Sequence, residues 1–137
     1  MSPRYLLDTD ICIYIKKQEP KKVFEKCTQL TVGEIGMSIV TYGELVYGAH
    51  KSHYPEKNLS VAQDLINFIP LLPLPIKAAH YYGEVRASLE KQGKIIGNND
   101  LWIAAHALAM DLILVTNNTR EFERVPNLKL ENWVTEI

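Results

Sequence analysis

Cysteine is scarce in this 137-residue chain: there are two, Cys12 and Cys27. Neither belongs to a C-x-x-C pair, and the nearby chain offers no histidine ligand. Two reduced, mostly buried thiols are therefore expected, not a disulfide framework or a zinc site. No run of about 18 apolar residues occurs, so no transmembrane helix is expected. The opening "MSPRYLLD" lacks the apolar stretch and small-residue cleavage site of a secretory leader, and the expected compartment is the cytoplasm. An excess of positive charge is also missing. Fifteen Lys and Arg face sixteen Asp and Glu, for a net charge of −1. A passive nucleic-acid binder is usually basic, because phosphate neutralisation supplies most nonspecific affinity. Here any contact with nucleic acid has to be local or supplied through a cation. Repeats, low-complexity tracts and linkers are absent, so a single domain over 1–137 is expected.

What is present is an ordinary globular composition, 47% hydrophobic and 23% charged, long enough to bury a core without staples. Short β-rich runs alternate with helical patterns. "RYLLD", "IGMSIV", "LILVT" and "LKLENW" read as strands, and "LLPLP" as an edge or terminal strand broken by prolines. "DICIYIKK" reads as a short helix capped by Asp10, and "PKKVFEKCTQL" as a second with Pro20 near its first turn. "TYGELVYGAHKS" opens with the capping-box pattern Thr41-x-x-Glu44. Further helices follow in "EKNLSVAQDLINFI", in "IKAAHYYGEVRASLEKQGK" up to Gly93, in "NDLWIAAHALAMD" entered through Asn98 or Asn99, and in "TREFERV". Strands separated by helices predict an α/β fold. It has a mainly parallel twisted sheet of four to five strands with helices on both faces.

In such a sheet ligands sit outside the carboxyl ends of the strands. Four acids are predicted there. Asp8 ends the first strand. Glu44, Asp100 and Glu121 each lie in the first turn of a helix. Asp111 precedes its strand and belongs at the opposite edge. Clustered carboxylates repel one another, and a hard divalent cation relieves that repulsion while leaving room for a phosphate. The constellation points to metal-assisted phosphodiester hydrolysis. Each acid also has a plain structural role open to it. Asp10 could be only a helix cap, Glu44 could pair with Thr41, Glu121 with Asn118, and Asp100 with a helix dipole.

"YLLDTDICIYIKK", "SIVTYGELVYGAHKS" and "IIGNNDLWIAAHALAMDLILVTNNTREFERVPNLKLENW" together resemble the PIN-domain ribonucleases. The likeness is strongest to the VapC toxins of bacterial toxin–antitoxin pairs, and it covers essentially the whole chain. The resemblance implies an α/β/α domain and an endoribonuclease dependent on Mg²⁺ or Mn²⁺ that leaves a 5′-phosphate and a 3′-hydroxyl. It implies Asp8, Glu44, Asp100 and Glu121 as metal-binding acids, with Thr9 and Thr116 orienting carboxylates or a water. It further implies a homodimer, a cognate antitoxin, and structured RNA as substrate, with tRNA prominent. Two positions depart from the pattern. Asp10 stands where the family usually has Asn, and Asn118 where many members have an acid, so Glu121 is expected to serve as the fourth ligand.

The RNA contacts expected are a few basic side chains, among them Arg86, Lys91, Lys94 and Arg120. Lys16, Lys17, Lys21 and Lys22 form a denser cluster. Trp102 is expected in the core or a dimer interface, Tyr42 and Tyr47 in the core, and His106 in a structural role. Two other functions compete. One is a PIN-type module that binds RNA or a partner without cutting. The other is a D-x-D phosphatase with Asp8 as covalent phosphate acceptor, which Cys12 at the fifth position and the missing D-D motif disfavour.

Overall fold

Three consecutive buried residues, Tyr5–Leu7, form the first strand, β1. An unbroken apolar run suits a strand covered on both faces. Its neighbours are β2 (Ile35–Ser38) and β4 (Ile113–Val115). β3 (Leu71–Leu72) lies outside β2, and β5 (Lys129–Glu131) outside β4. The computed structural model describes residues 2–135 and has one five-stranded parallel sheet in the order β3-β2-β1-β4-β5. Both short outer strands are edges, as expected of "LLPLP".

Seven helices connect the strands among the described residues: α1 (Thr9–Lys17), α2 (Lys21–Thr28), α3 (Ile39–His50), α4 (Pro55–Phe68), α5 (Ala78–Lys91), α6 (Asn98–Met110) and α7 (Thr119–Phe122). The period-two alternation of the strands splits the core. Tyr5, Leu7, Met37 and Val115 face one side, against Ile11 and Ile15 of α1, Val23 of α2, Leu65 of α4 and Trp133. Leu6 and Leu114 face the other, against Val85 and Leu89 of α5, Ile103 and Ala107 of α6, and Phe122 of α7. The sheet therefore carries helices on both faces.

The chain moves outward from β1 to β2 to β3. Then α5 and α6 carry it back to β4, on the other flank of β1. The strand order reverses between β1 and β4, and a crevice at the carboxyl ends of that pair is where such sheets bind ligands.

Three helix starts differ from the sequence-based expectation. Asp8, not Asp10, caps α1, accepting the Thr9 N–H. α3 begins at Ile39 with Ser38 as its cap, so "IV" of "IGMSIV" is helix, not strand. The reason is pairing: β3 offers partners only to Met37 and Ser38, and beyond them Ile39 and Val40 have no ladder to join. The Thr41–Glu44 capping box consequently does not form. Glu44 lies in the second turn, not the first. α6 starts from Gly97, one residue before the expected Asn98 or Asn99.

Candidate active site

Asp8 leaves β1 at the strand-order reversal. It is 5% exposed, and both carboxylate oxygens accept hydrogen bonds: one from the Thr9 N–H at 2.8 Å, the other from Thr116 Oγ1 at 2.8 Å. Thr116 follows β4, so this second bond ties the two central strands together at their ends. Thr116 Oγ1 also accepts the Asn118 N–H at 2.9 Å, which sets the turn leading into α7.

Glu44 reaches the same edge from α3. Its Oε1 accepts the Thr9 hydroxyl at 2.6 Å. Thr9 thus stands between Asp8, its chain neighbour, and Glu44.

Asp100 and Glu121 arrive from the first turns of α6 and α7 and are hydrogen-bonded to each other. Glu121 Oε1 accepts the Gly97 N–H at 2.9 Å, and Oε2 accepts the Asn118 amide at 2.8 Å. Gly97 approaches closely: a Cβ there would lie 3.5 Å from Asp100 Oδ2. Asn118 therefore serves Glu121 as a donor, but the reciprocal capping box is not made, because the Asn118 N–H is already taken by Thr116.

Asp10 sits behind Asp8. Its Oδ2 accepts the Asn117 N–H at 3.0 Å and its Oδ1 the Ile11 N–H at 2.7 Å. The Asn117 side chain continues the chain of contacts, donating to the Tyr14 hydroxyl at 3.3 Å and accepting from the Asn132 amide at 3.2 Å. Asp10 therefore holds the loop after β4 instead of capping α1.

The electrostatics follow from this crowding. Burial, then the charge of Asp10, and more weakly that of Glu44, raise Asp8 to about 6 against the hydrogen bonds of Thr116 and Thr9. Burial raises Asp100 to about 7, reinforced by the charges of Asp8, Glu121 and Glu44. Burial also pushes Glu121 upward, but the Gly97 N–H and the Asn118 amide, with Asp100 and the charge of Arg124 behind them, outweigh it and hold Glu121 below the usual range. The proton between Asp100 and Glu121 thus belongs on Asp100. Every charge acting appreciably on Asp8 and Asp100 is negative.

Among the described residues no three Asp, Glu, His or Cys side chains already converge as the ligands of one ion. The donor chemistry nevertheless fits a hard divalent cation. All the donors are carboxylate oxygens, they lie at one edge, and no basic group offsets the repulsion on Asp8 and Asp100, Arg124 reaching only Glu121.

A family model described as the PIN domain matches residues 5–128. The chain belongs to the PIN-domain family. Its relatives include the ribonuclease VapC2 of Haemophilus influenzae, 47% identical over 131 residues that span 96% of this chain and 98% of that one. The tRNA(fMet)-specific endonuclease VapC of Shigella flexneri is 45% identical, over 95% of this chain and 98% of its own. Among solved structures, DNA-bound VapBC from Salmonella typhimurium matches with TM-score 0.89 at 38% identity, covering 96% of this chain and 98% of that one. VapBC-1 from nontypeable Haemophilus influenzae matches at 0.88 and 39%, with the same coverage. These place the chain within the VapC branch of the PIN domains.

Around the acidic edge of this PIN domain the basic residues are sorted by their contacts. Lys16 and Lys17, in the last turn of α1, line a groove of about 270 Å³ between α1, α3 and α4 whose far end is Thr9 and Glu44. Lys21 pairs with Glu25 at 3.8 Å, and Lys22 is exposed. Arg86 is engaged by Glu90 at 3.2 Å and the Tyr82 hydroxyl at 2.7 Å. Lys91, Lys94 and Arg120 are exposed. Trp102 is half-buried and stacks on Tyr82, ring centroids 3.9 Å apart. Tyr42 packs on the core as expected, but Tyr47 is 65% exposed, on the opposite side of α3. His106 is fully buried, with Nδ1 2.9 Å from Ser38 Oγ, and burial lowers it to about 4. It is neutral and structural. Both cysteines are free and buried.

Sequence reasoning missed Gly97 and Asn117. Both act through backbone N–H groups, which no side-chain pattern reveals. "IGNND" did contain a signal for Gly97, since glycine is an accepted N-cap residue.

Proposed function

We propose that this chain is the endoribonuclease toxin of a type II toxin–antitoxin pair. In this reading Asp8, Glu44, Asp100 and Glu121 hold Mg²⁺ or Mn²⁺, and residues 1–137 act as one PIN domain. The observation that carries the reading is one buried and three half-buried carboxylates at the strand-order reversal, with only negative charges acting on Asp8 and Asp100. The substrate is structured RNA. Its class is tRNA, by analogy with the relatives named tRNA(fMet)-specific endonucleases. The partner is a cognate antitoxin, as the VapBC relatives suggest. The working form in this reading is a cytoplasmic homodimer. No helix among the described residues is long and apolar enough to cross a membrane.

When bound, a divalent cation at this edge supplies a Lewis acid that polarises the phosphodiester and makes a water more acidic. The protein's own groups do the rest. Asp8, fixed by Thr116 and Thr9, presents a carboxylate whose orientation is set before substrate arrives. Thr9 holds Glu44 toward the same point. Asp100 would release its proton to solvent when a cation binds, and Gly97 and Asn118 keep Glu121 ionised. Water attacks the phosphorus in line and gives up a proton to solvent, the P–O3′ bond breaks, and the leaving 3′ oxygen takes a proton from solvent water, giving a 5′-phosphate and a 3′-hydroxyl.

The test is cleavage of total cellular RNA by protein freed of any co-purifying antitoxin, with Mg²⁺, Mn²⁺ or EDTA, and mapping of the new 5′ ends. Discrete cuts bearing 5′-phosphates are expected with the wild type. Asp8→Asn, which removes one charge and almost no volume, is expected to lose at least about 100-fold in rate with its fold kept and its melting temperature not lowered, as the loss of a ligand requires. Full activity in that variant would sink the site assignment. Tight RNA binding without cleavage would instead indicate a binding module.

A further inference from the structure

Arg124 lies just past α7. Its guanidinium is 2.9 Å from the Ile95 carbonyl, to which Nη1 donates. Ile95 sits in the loop between α5 and α6, two residues before Gly97, whose N–H holds Glu121 Oε1. The loop and α7 are thus joined at two points on either side of a packed contact, for Ile96 is buried with Phe122 and Val125 in the same apolar cluster.

Such a double tether matters because α7 has four residues, barely one turn. A helix that short has almost no stability of its own, so its orientation is set by what it is fastened to. Packing of Ile96 and Phe122 holds the two segments together but tolerates sliding. Directional bonds fix the register. Asp100 starts from this loop and Glu121 from α7, so the register of loop against α7 is also the separation of the two carboxylates. Among the described residues, no other side chain of α7 or the segment after it hydrogen-bonds to the loop except Glu121 itself.

We propose that Arg124 is a positioning residue for the nuclease reaction: by holding the Ile95 carbonyl it keeps the Gly97 N–H on Glu121 and so sets the spacing of Glu121 and Asp100. The inference rests on the acidic edge being the reaction centre. Arg124 hydrogen-bonds to neither Asp100 nor Glu121, and its charge helps lower Glu121 only, so it acts through Glu121. The rival role for an exposed arginine is a direct contact with an RNA phosphate. That role would leave the RNA-free protein unchanged.

The experiment compares full-length wild type, Arg124→Ala and Arg124→Lys. In RNA-free, metal-free protein it reads the amide resonance and hydrogen exchange of Gly97. It also measures the Mn²⁺ concentration needed for half-maximal thermal stabilisation, and kcat and KM on the cleaved RNA. Arg124→Ala is expected to shift the Gly97 amide and to speed its exchange about 10-fold. The same variant should weaken Mn²⁺ and lower kcat by about 10-fold each, the scale of losing a residue that orients a ligand, with KM within about twofold. Arg124→Lys, which keeps a donor of similar reach, is expected to recover most of each loss. An unmoved Gly97 amide in Arg124→Ala overturns the proposal. So does a rise in KM at constant kcat, which marks a phosphate contact. If Asp8→Asn is inactive while Arg124→Ala is fully active, the nuclease reading stands and this proposal fails. A wild type that cuts no RNA overturns both.

Discussion

Asp8 shows what a site does to one side chain. Buried to 5% exposure beside Asp10 and Glu44, its carboxyl is raised from 3.8 to about 6. A carboxyl raised on folding binds more protons in the native state than in the unfolded one. Stability then falls as pH climbs from the unfolded value through the folded one. For Asp8 that window runs from about 4 to 6, and for Asp100, raised to about 7, it extends to neutrality. Metal-free protein in EDTA should therefore melt at a higher temperature at pH 5 than at pH 7.5. Asp8 alone accounts for on the order of 2–3 kcal/mol over its whole window, about half of it between pH 5 and pH 7.5, at about 1.4 kcal/mol per unit. Asp8→Asn should flatten the dependence, and Mn²⁺ should remove most of it at pH 7.5. Scanning calorimetry at the two pH values checks this; a wild type more stable at pH 7.5 than at pH 5 would contradict it. Asp10 gives a second case. Both its oxygens accept backbone N–H groups, and an asparagine has only one acceptor oxygen. Asp10→Asn should cost about 1 kcal/mol through the lost bond. It should also lower the Asp8 pKa, because the neighbouring charge is gone. Urea unfolding measures the first effect and carboxyl NMR titration the second.

At the scale of elements, the edge of the sheet is set by one glycine. A Cβ on Gly36 of β2 would run into Cδ1 and Cγ of Leu72, so the Leu72 side chain would have to shift. Leu72 of β3 uses the bare backbone as its seat. Gly36→Ala is expected to destabilise by about 1–3 kcal/mol through overpacking. Adding Leu72→Ala should cost less in that background than in the wild type, and a double-mutant cycle in urea reads the coupling. Strictly additive effects would show that the two side chains do not compete. This contact was not legible in "IGMSIV". Nor was the start of α3. The β-branched Ile39 and Val40 favour a strand locally, and only the shortness of β3 turns them into helix. By contrast the buried strands "YLL" and "ILV" and the long helices were legible, because their hydrophobic periods are unambiguous.

For the whole molecule, a net charge of −1 means that RNA is not gathered by a broad positive field. Contact must come from a few cations such as Lys16 and Lys17, in the groove that ends at Thr9 and Glu44. If two to four phosphates are neutralised at about 0.7 each, the slope of log(kcat/KM) against log[KCl] should be about −1 to −3 at fixed Mg²⁺. A slope steeper than about −5 would reveal an extended basic surface that the composition argues against.

The residues by themselves determined the alternation of strands and helices, the parallel sheet, and which acids follow strands. Those depend on local periodicity and on the rule that chain reversal in a parallel sheet puts strand ends at one edge. Thr116 was named by the resemblance as a hydroxyl orienting a carboxylate, but only tertiary structure decided that it reaches Asp8, 108 residues away. Tertiary structure alone brought Asn117 to Asp10 across 107 residues and Gly97 to Glu121 across 24. Backbone N–H groups are the same at every position in a sequence. They acquire a role only when packing brings one of them to a carboxylate that is short of donors.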